Sequence, residues 1–359
     1  MKLSDWRRGI YLLLIFVPIS GALAILHAPA AWRFVGSAIA TVPLAAMMGR
    51  STEELSKRLG AQWGALVNAT FGNATELIIG IFALHAGLIG LVRASIIGSI
   101  LGNILLVLGA SALAGGLKHR FQEFNQDLAQ TNSITLLLAV VAISVPALFV
   151  NSYHTDVSAE LNPVELLSIW VAGLLLVFYV VSLVFSLRTH EDHFRSHVIE
   201  EEDPPQWSTS AAVATLAFAA ATIAFESDIL VDSVTQTTSA WHMNQIFVGI
   251  IIVPIIGNVA ENASAVGLAL KNRMNVAINI AIGSSIQIAM FVAPLLVLAS
   301  LLFPHHLSMI FPTPELLAIA LAVIIAAFIA NDGKTHWLEG AQLLAAYAII
   351  ALAFYYLPP

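Results

Sequence analysis

The strongest constraint on this chain is the length of its uncharged stretches. Residues 274–314 contain no Asp, Glu, Lys or Arg, and residues 128–155 are equally free of them. An apolar run of about 20 residues can cross a bilayer as a helix, in which every backbone polar group is satisfied within the segment. Only 10% of the 359 residues are charged, against about 25% in soluble domains. The sequence therefore predicts an all-α integral membrane protein.

Eleven membrane spans account for the apolar stretches. They are predicted at residues 10–28, 31–49, 63–84, 88–114, 133–150, 163–187, 209–231, 244–270, 274–302, 314–330 and 336–356. If the N-terminus is cytoplasmic, every Lys and Arg except Arg33 and Arg93 falls on the cytoplasmic side. This bias follows the positive-inside rule, so it favours both the orientation and the number of spans.

Some classes of protein are excluded early. The chain has no Cys, which removes disulfides, thiolate metal sites and thiol catalysis. A net charge of −7 gives no reason to expect a nucleic-acid partner. "HEDH" at residues 190–193 lacks the spacing of a metalloprotease motif, and we expect neither an enzyme nor a bound cofactor. The first apolar stretch is longer than the usual signal-peptide core of about 7–15 residues, so an uncleaved helix is preferred to cleavage near residues 28–30.

A motif in the first half of the chain returns in the second. "TFGNATELIIG" at residues 70–80 and "IIGNVAENASA" at residues 255–265 align with an offset of 185, and the offset holds into the next span at "IGS". The copies lie in the third and the eighth predicted spans, and because these are an odd number of crossings apart, the copies are predicted to be antiparallel. Inverted repeats that meet near the midplane are typical of secondary transporters. The predicted organisation is a leading helix (1–30), a first five-helix repeat (31–187), a linker (188–208) and a second repeat (209–359).

The repeated motifs carry polar groups that can meet inside the membrane. Each motif has an Asn and a Glu three residues apart, on one helical face, and the following span adds a hydroxyl and a carboxamide. These candidate site residues are Asn73, Glu76, Ser99 and Asn103 in the first half, and Asn258, Glu261, Ser284 and Gln287 in the second. All of them can offer oxygen, which suits Ca²⁺ and, less well, Mg²⁺ or Mn²⁺. Gly72 and Gly257 are expected to loosen the helices and free backbone carbonyls as further ligands.

Charge gives the second argument for an ion site. An ionised carboxylate at the bilayer centre costs at least about 2.5–3.5 kcal/mol, and two facing carboxylates also repel each other. Glu76 and Glu261 must therefore be neutralised by protons or by a metal ion. A site that moves only when it is neutralised exchanges one for the other. The alternative is that both Glu residues are structural and pair with Asn side chains or with Arg93.

At this point the sequence resembles a known family. "GNATELIIGIFAL", "GNVAENASA", "STEEL", "SIIGSILGNILLVLG" and "IGSSIQIA" are similar to motifs of the cation/proton exchangers (CAX), within the Ca²⁺/cation antiporter group. The resemblance runs from about residue 40 to the C-terminus. It implies a Ca²⁺/H⁺ antiporter in which Glu76 and Glu261 bind Ca²⁺ and protons. It also implies that Glu53 and Asp228 lie near the ends of two gating helices, although the family more often has Glu at the second position, and that Gln287 accompanies proton coupling.

The polar link between the repeats could have a regulatory role. Three histidines with helical spacing precede four acidic residues: His190, His193, His197, Glu200, Glu201, Glu202 and Asp203. Imidazole and carboxylate groups together can bind divalent cations, which would make the link a metal sensor. The alternative is a solvated acidic linker.

We therefore expect a multi-pass antiporter of the plasma (inner) membrane that exports Ca²⁺ from the cytoplasm in exchange for H⁺. Its expected partners are these two ions and the lipid bilayer, and a homo-oligomer is left open. Three alternatives remain: the same fold with Na⁺/Ca²⁺ exchange, the same fold with Mn²⁺/H⁺ exchange, and an ion channel.

Overall fold

The computed structural model describes residues 9–150, 163–189 and 204–357, and almost all of them are helical. The helices are α1 (Gly9–Ile25), α2 (Ala30–Phe71), α3 (Ala74–His85), α4 (Ile89–Lys118), α5 (Gln126–Val150), α6 (Pro163–Arg188), α7 (Thr209–Ala240), α8 (Gln245–Gly257), α9 (Val259–Ala269), α10 (Met274–Ser300), α11 (Thr313–Ile329) and α12 (Trp337–Tyr355). Two short antiparallel strands, β1 (Gln122–Glu123) and β2 (Lys334–Thr335), pair between loops.

The prediction of a helical, polytopic membrane protein is confirmed. Each of the eleven predicted spans overlaps a helix, and seven described helices are long and apolar enough to cross a bilayer. The bent pair formed by α8 and α9 makes an eighth, and α1, α3 and α11 are shorter apolar helices. The number of crossings and the repeat boundaries stay predictions, because length and composition alone do not place a helix across a membrane.

The predicted boundaries fail most clearly in α2. The second span was expected to end at residue 49, but the helix continues through the polar sequence "STEELSKR" to Phe71. Glu, Lys and Arg are good helix formers, and Lys57 pairs with Glu53 one turn away at 2.6 Å. Hydropathy indicates where a helix leaves the lipid, but it does not indicate where the helix ends. Here α2 continues beyond its apolar part. Gly60, with φ of +79°, divides α2 into a long first arm and a short second arm (residues 61–71).

Loops that the topology places on one side do meet. At what we call the basic end, Lys118 donates to the carbonyl of Leu270 at 2.9 Å, and β1 pairs with β2. At the opposite end, His85 packs on Phe303 and Phe34 packs on Trp241. This grouping agrees with the predicted alternation of these loops between the two sides. Which end faces the cytoplasm stays a prediction.

Two pairs of helices organise the interior. The long helices α2 and α7 pack along each other more extensively than any other pair. Helices α4 and α10 are the most buried of the long apolar helices, whereas α6 and α12 expose most of their surface. Since α4 and α10 carry Ser99, Asn103, Ser284 and Gln287, the polar residues of these spans lie in the protein interior and away from lipid.

Candidate functional site

Both repeated motifs lie where a helix is broken. Helix α2 ends at Phe71 and α3 begins at Ala74, while α8 ends at Gly257 and α9 begins at Val259. Asn73 (φ −104°, ψ 26°) and Asn258 (φ −98°, ψ 10°) stand at the two breaks, outside the helical conformation. Loosening was expected at Gly72 and Gly257, and the structure places each break one residue later, since Gly72 keeps helical angles and Gly257 ends its helix. That the breaks free backbone carbonyls as ligands stays a prediction. Irregular backbone at membrane depth is tolerated only where protein surrounds it or where it lines a cavity.

The breaks place the two carboxylates at helix beginnings. Glu76 lies in the first turn of α3 and Glu261 in the first turn of α9. The free N–H groups at the start of a helix favour negative charge nearby. The chain thus provides two equivalent positions where a carboxylate is partly compensated without a basic side chain. Among the described residues, neither Glu forms an ion pair.

The two halves meet at these breaks. Asn73 Nδ2 donates to Gln287 Oε1 on α10 at 2.6 Å, which joins the first motif to the second repeat. The Glu76 carboxylate lies against the backbone of Gly257, where a Cβ would come within 2.9 Å of Oε1. Glu261 follows Gly257 by four residues and lies in the first turn of the helix after the same break. The two motifs therefore lie together in the structure, and their joint role as an ion site stays a prediction.

Glu261 has a partner that Glu76 lacks. Ser284 Oγ donates to Glu261 Oε2 at 2.6 Å, a contact between α10 and α9. Both carboxyl oxygens of Glu76 are buried without a hydrogen-bond partner among the described residues, and so is Asn73 Oδ1. Buried polar atoms are rarely left unpaired, so each unpaired atom here indicates a position where a ligand can bind. Three unpaired oxygen atoms on adjacent side chains are a donor set for a hard cation or for protons.

The remaining candidate residues lie in the interior of the protein. Asn258, Ser99 and Asn103 are buried, and Asn103 Nδ2 has no partner among the residues described. A π-helical turn (Gly102–Val107) includes Asn103 in α4, and an equivalent turn (Ile288–Val292) directly follows Gln287 in α10. Such turns are rare and occur often at functional sites. We find no sequence signal that would have predicted them.

The two predicted gating carboxylates lie outside this centre. The side chain of Glu53 is exposed and pairs with Lys57, and Asp228 is also exposed. Their neighbours are buried instead. Glu54 accepts the backbone N–H groups of Gln206 and Trp207 at 2.7 and 3.0 Å, which ties the end of the linker to α2. The gating role of Glu53 and Asp228 stays a prediction.

Glu226 is the buried neighbour of Asp228, and sequence reasoning missed it. It is fully buried in α7 and contacts Ser20 of α1. The signal was available, since Glu226 directly follows the uncharged run of residues 209–225. The motif comparison drew attention to Asp228, two positions further on, which faces outward.

The structural alternative for Glu76 and Glu261 is wrong as it was stated. Arg93 donates to Ser308 Oγ at 2.9 Å, and the acidic group acting on it is Glu315. Neither site carboxylate is hydrogen-bonded to an Asn side chain; Glu261 bonds to Ser284, and Glu76 has no partner within the described part of the chain. Arg93 therefore belongs to the opposite end and does not neutralise the site.

The proposed metal sensor lies outside the described residues, since His190, His193, His197, Glu200, Glu201, Glu202 and Asp203 all fall between residues 190 and 203. Within residues 9–150, 163–189 and 204–357, no group of three or more His, Asp and Glu side chains is arranged to hold a metal ion. The site contains two such carboxylates, so a cation there would also need amide and backbone oxygens.

Comparison with known proteins agrees with this geometry. The family described as sodium/calcium exchanger protein matches residues 29–188 and 211–356. The Ca²⁺/H⁺ antiporter ChaA of Bacillus subtilis (strain 168) is 44% identical, over 95% of this chain and 97% of its own. A Ca²⁺/H⁺ antiporter of Aphanothece halophytica is 40% identical, over 96% of each. The solved structure of native YfkE superposes with a TM-score of 0.83 and 40% identity, covering 97% of this chain and 100% of that one.

Proposed function

Because the chain belongs to the sodium/calcium exchanger protein family, we propose that it is a secondary active antiporter that exchanges Ca²⁺ for H⁺ at the site formed by Glu76 and Glu261. The observation that carries the proposal is the set of unpaired buried oxygens on Glu76 and Asn73, beside the Glu261 carboxylate. Relatives named Ca²⁺/H⁺ antiporter support the identity of the two ions.

Some residues of the proposed site supply charge, and others orient the groups that bind the cation. Glu76 and Glu261 supply the two negative charges that a divalent cation or two protons would neutralise. Asn73 Oδ1 offers a neutral oxygen, while its Nδ2 is held by Gln287, so the amide is turned with its oxygen free. Ca²⁺ takes six to eight oxygens, so backbone carbonyls at the two helix breaks complete the shell. Ser284 holds Glu261 in place between binding events.

Exchange follows from competition for the same oxygens. A protonated carboxyl has lost much of its ability to bind Ca²⁺, and bound Ca²⁺ excludes the proton. The doubly charged empty site is costly inside the membrane, so the helices that carry it reorient only when it is occupied. Each reorientation then carries either Ca²⁺ or protons, which is obligatory exchange and differs from a channel.

The direction of transport rests on the predicted orientation. With the basic end in the cytoplasm, an inward proton gradient at the plasma membrane drives Ca²⁺ out of the cell. The concentration of Lys and Arg at the predicted cytoplasmic loops supports this arrangement. Asn258, Ser99 and Asn103 are proposed to line the route. Glu53, which is exposed beyond the apolar part of α2, is proposed to attract cations to its cytoplasmic mouth, whereas Asp228 lies near the middle of α7 and faces outward, so its gating role rests on the resemblance alone.

Reconstitution in liposomes tests the proposal. Purified protein is inserted into vesicles, a pH gradient is imposed, and ⁴⁵Ca²⁺ uptake is followed with and without a proton ionophore. We expect uptake that depends on the gradient and that Glu76→Gln and Glu261→Gln each abolish. Glu123→Gln, an exposed carboxylate outside the site, is the matched control and should keep the wild-type rate. Uptake driven by a Na⁺ gradient, or uptake that survives both site variants, would overturn the proposal.

A further inference from the structure

The leading helix α1, which lies outside both repeats, packs against the two longest helices of the molecule. A Cβ on Gly36 of α2 would come within 3.5 Å of Ser20 Cβ, and one on Gly21 of α1 would come within 3.6 Å of the Phe225 ring on α7. Ser20 is completely buried between them. Small residues allow helices to approach this closely within a membrane. Helix α1 is therefore built into the α2–α7 pair.

A buried acid lies at the centre of this contact. Glu226, near the middle of α7, is completely buried, and its Oε1 and Oε2 lie 2.7 and 2.6 Å from Ser20 Oγ. Ser20 Oγ also lies 3.1 Å from the carbonyl oxygen of Val17 in its own helix. No Lys, Arg or His of the described residues forms an ion pair with Glu226. The nearest such pair on these helices joins Arg33 and Asp232, further along toward the opposite end.

Counting hydrogens decides the state of this acid. A serine hydroxyl has one hydrogen to donate. If Glu226 were ionised, that single hydrogen would be the only stabilisation of a buried charge, and the Val17 carbonyl would lose it. If Glu226 is a neutral acid, its O–H donates to Ser20 Oγ, and the Ser20 O–H donates to the Val17 carbonyl. The neutral acid uses every hydrogen and leaves no uncompensated charge.

We propose that Glu226 is a proton-bearing carboxylic acid that fastens α1 to α7, so that α1, α2 and α7 move as one unit during transport. Glu226 is a positioning residue, because it does not touch the site formed by Glu76 and Glu261. The inference does not depend on which cation is exchanged. It gives the leading helix a function, since a helix fixed to both long helices adds stiffness to the part of the molecule that must move.

Infrared spectroscopy tests the proton directly. The protein background is Glu76→Gln/Glu261→Gln, which removes the acids of the ion site. We expect a carbonyl stretching band of a neutral carboxylic acid that disappears when Glu226→Gln is added. The carboxylate bands should stay unchanged. If Glu226→Gln instead removes a carboxylate band, Glu226 is ionised and the proposal fails.

Transport by a variant series tests the fastening. Glutamine is neutral and can still donate to Ser20, so Glu226→Gln should transport at the wild-type rate. Glu226→Ala and Ser20→Ala lose the hydrogen bond and should slow transport by about 2- to 10-fold. Thr222→Val is the matched control, because this α7 hydroxyl bonds only to its own helix at the Phe218 carbonyl. The proposal fails if Glu226→Gln is as slow as Glu226→Ala, or if Ser20→Ala has no effect.

Cross-linking tests whether the helices move together. The chain has no Cys, so Gly21→Cys with Phe225→Cys gives one defined pair between α1 and α7. Because Gly21 meets the far end of the Phe225 ring, a short bis-methanethiosulfonate linker joins the two thiols in place of a direct disulfide. Transport is compared before and after linking in the same preparation, with linking followed by thiol labelling. Helices that move as a unit should transport equally well when they are linked. Loss of transport on linking, restored by reduction, would show that α1 slides along α7 and would overturn the proposal.

Discussion

Two equivalent segments of the repeats pack in different ways. The second arm of α2 (residues 61–71) and helix α8 both lead into a motif break, and Gly64 corresponds to Gly249. In α8, Val248 and Ile250 are buried. In the α2 arm, Trp63 is 65% exposed and Leu66 is 40% exposed. The two segments share a sequence pattern, yet α8 packs against the protein and the α2 arm exposes its large side chains.

The neighbours of these segments explain the difference. Helix α8 packs on α4, where the backbone of Ile250 touches Gly98 and where a Cβ on Gly249 would come within 2.5 Å of the Ala94 methyl group. The α2 arm folds back on its own helix, with Ser56 donating to the Gly64 carbonyl at 2.8 Å. Gly283, the counterpart of Gly98 on α10, has no atom within 4 Å of where its Cβ would stand.

One side of the site is thus sealed by an α4–α8 contact, and among the described residues no equivalent contact occurs at Gly283 on the other side. If the repeats exchange these roles during transport, the α2 arm must approach α10 at Gly283 while α8 leaves α4. The structure then represents one of two related states. With the predicted orientation, the unsealed side faces the cytoplasm.

The largest effect is expected at the seal itself. In Gly98→Val the new side chain overlaps the Ile250 backbone, so α4 and α8 cannot pack as observed. Such overpacking costs about 1–3 kcal/mol, and we expect a lower unfolding temperature together with a transport loss of about tenfold or more. Fluorescence-detected unfolding and vesicle flux measure the two effects. Gly90→Val, on the same helix with nothing within 4 Å, is the control. Equal effects from both variants would contradict a specific role of the α4–α8 contact in transport.

A subtler effect is expected at the counterpart position. Gly283→Val meets no atom in this structure, so its stability should change by less than about 0.5 kcal/mol. Transport should nevertheless fall by about tenfold, roughly 1.4 kcal/mol, because the opposite state needs a close contact there. Gly173→Val on α6, which also has nothing within 4 Å, should change neither stability nor transport. Unchanged transport by Gly283→Val would contradict the exchange of roles between the repeats.

A smaller effect is expected where the halves touch. The Cβ of Gly257→Ala would stand 2.9 Å from Glu76 Oε1, and the flexible carboxylate can move aside at little cost to folding. We expect Ca²⁺ binding to weaken by about 3- to 10-fold, equivalent to roughly 1 kcal/mol, with little change in stability. Titration calorimetry measures the change. Gly173→Ala on α6, outside the site and with nothing within 4 Å, should bind normally, and weakening of both alike would show a general packing effect.

The sequence predicted which residues the structure brings together, and part of the fold; that these residues bind ions stays a prediction. Glu76 and Glu261 were found because a charged residue repeated at the same place in two apolar helices is rare. Loosening was expected at the adjacent glycines, whereas the breaks fall at Asn73 and Asn258. The burial of Glu54 and Glu226 was missed, because adjacent acidic residues look alike until a helix face is fixed by packing. The seal between α4 and α8 could not be predicted, since the two repeats carry the same glycines and only the conformation decides which pair meets.

The central claim is that Ca²⁺ and protons compete for the carboxylates of Glu76 and Glu261. Ca²⁺ is added to detergent-solubilised protein in weak buffer, and the protons released are measured with a pH indicator while Ca²⁺ binding is followed in parallel. We expect proton release that saturates together with Ca²⁺ binding and that Glu76→Gln/Glu261→Gln abolishes. Ca²⁺ binding without proton release, or equal release by the double variant, would contradict it.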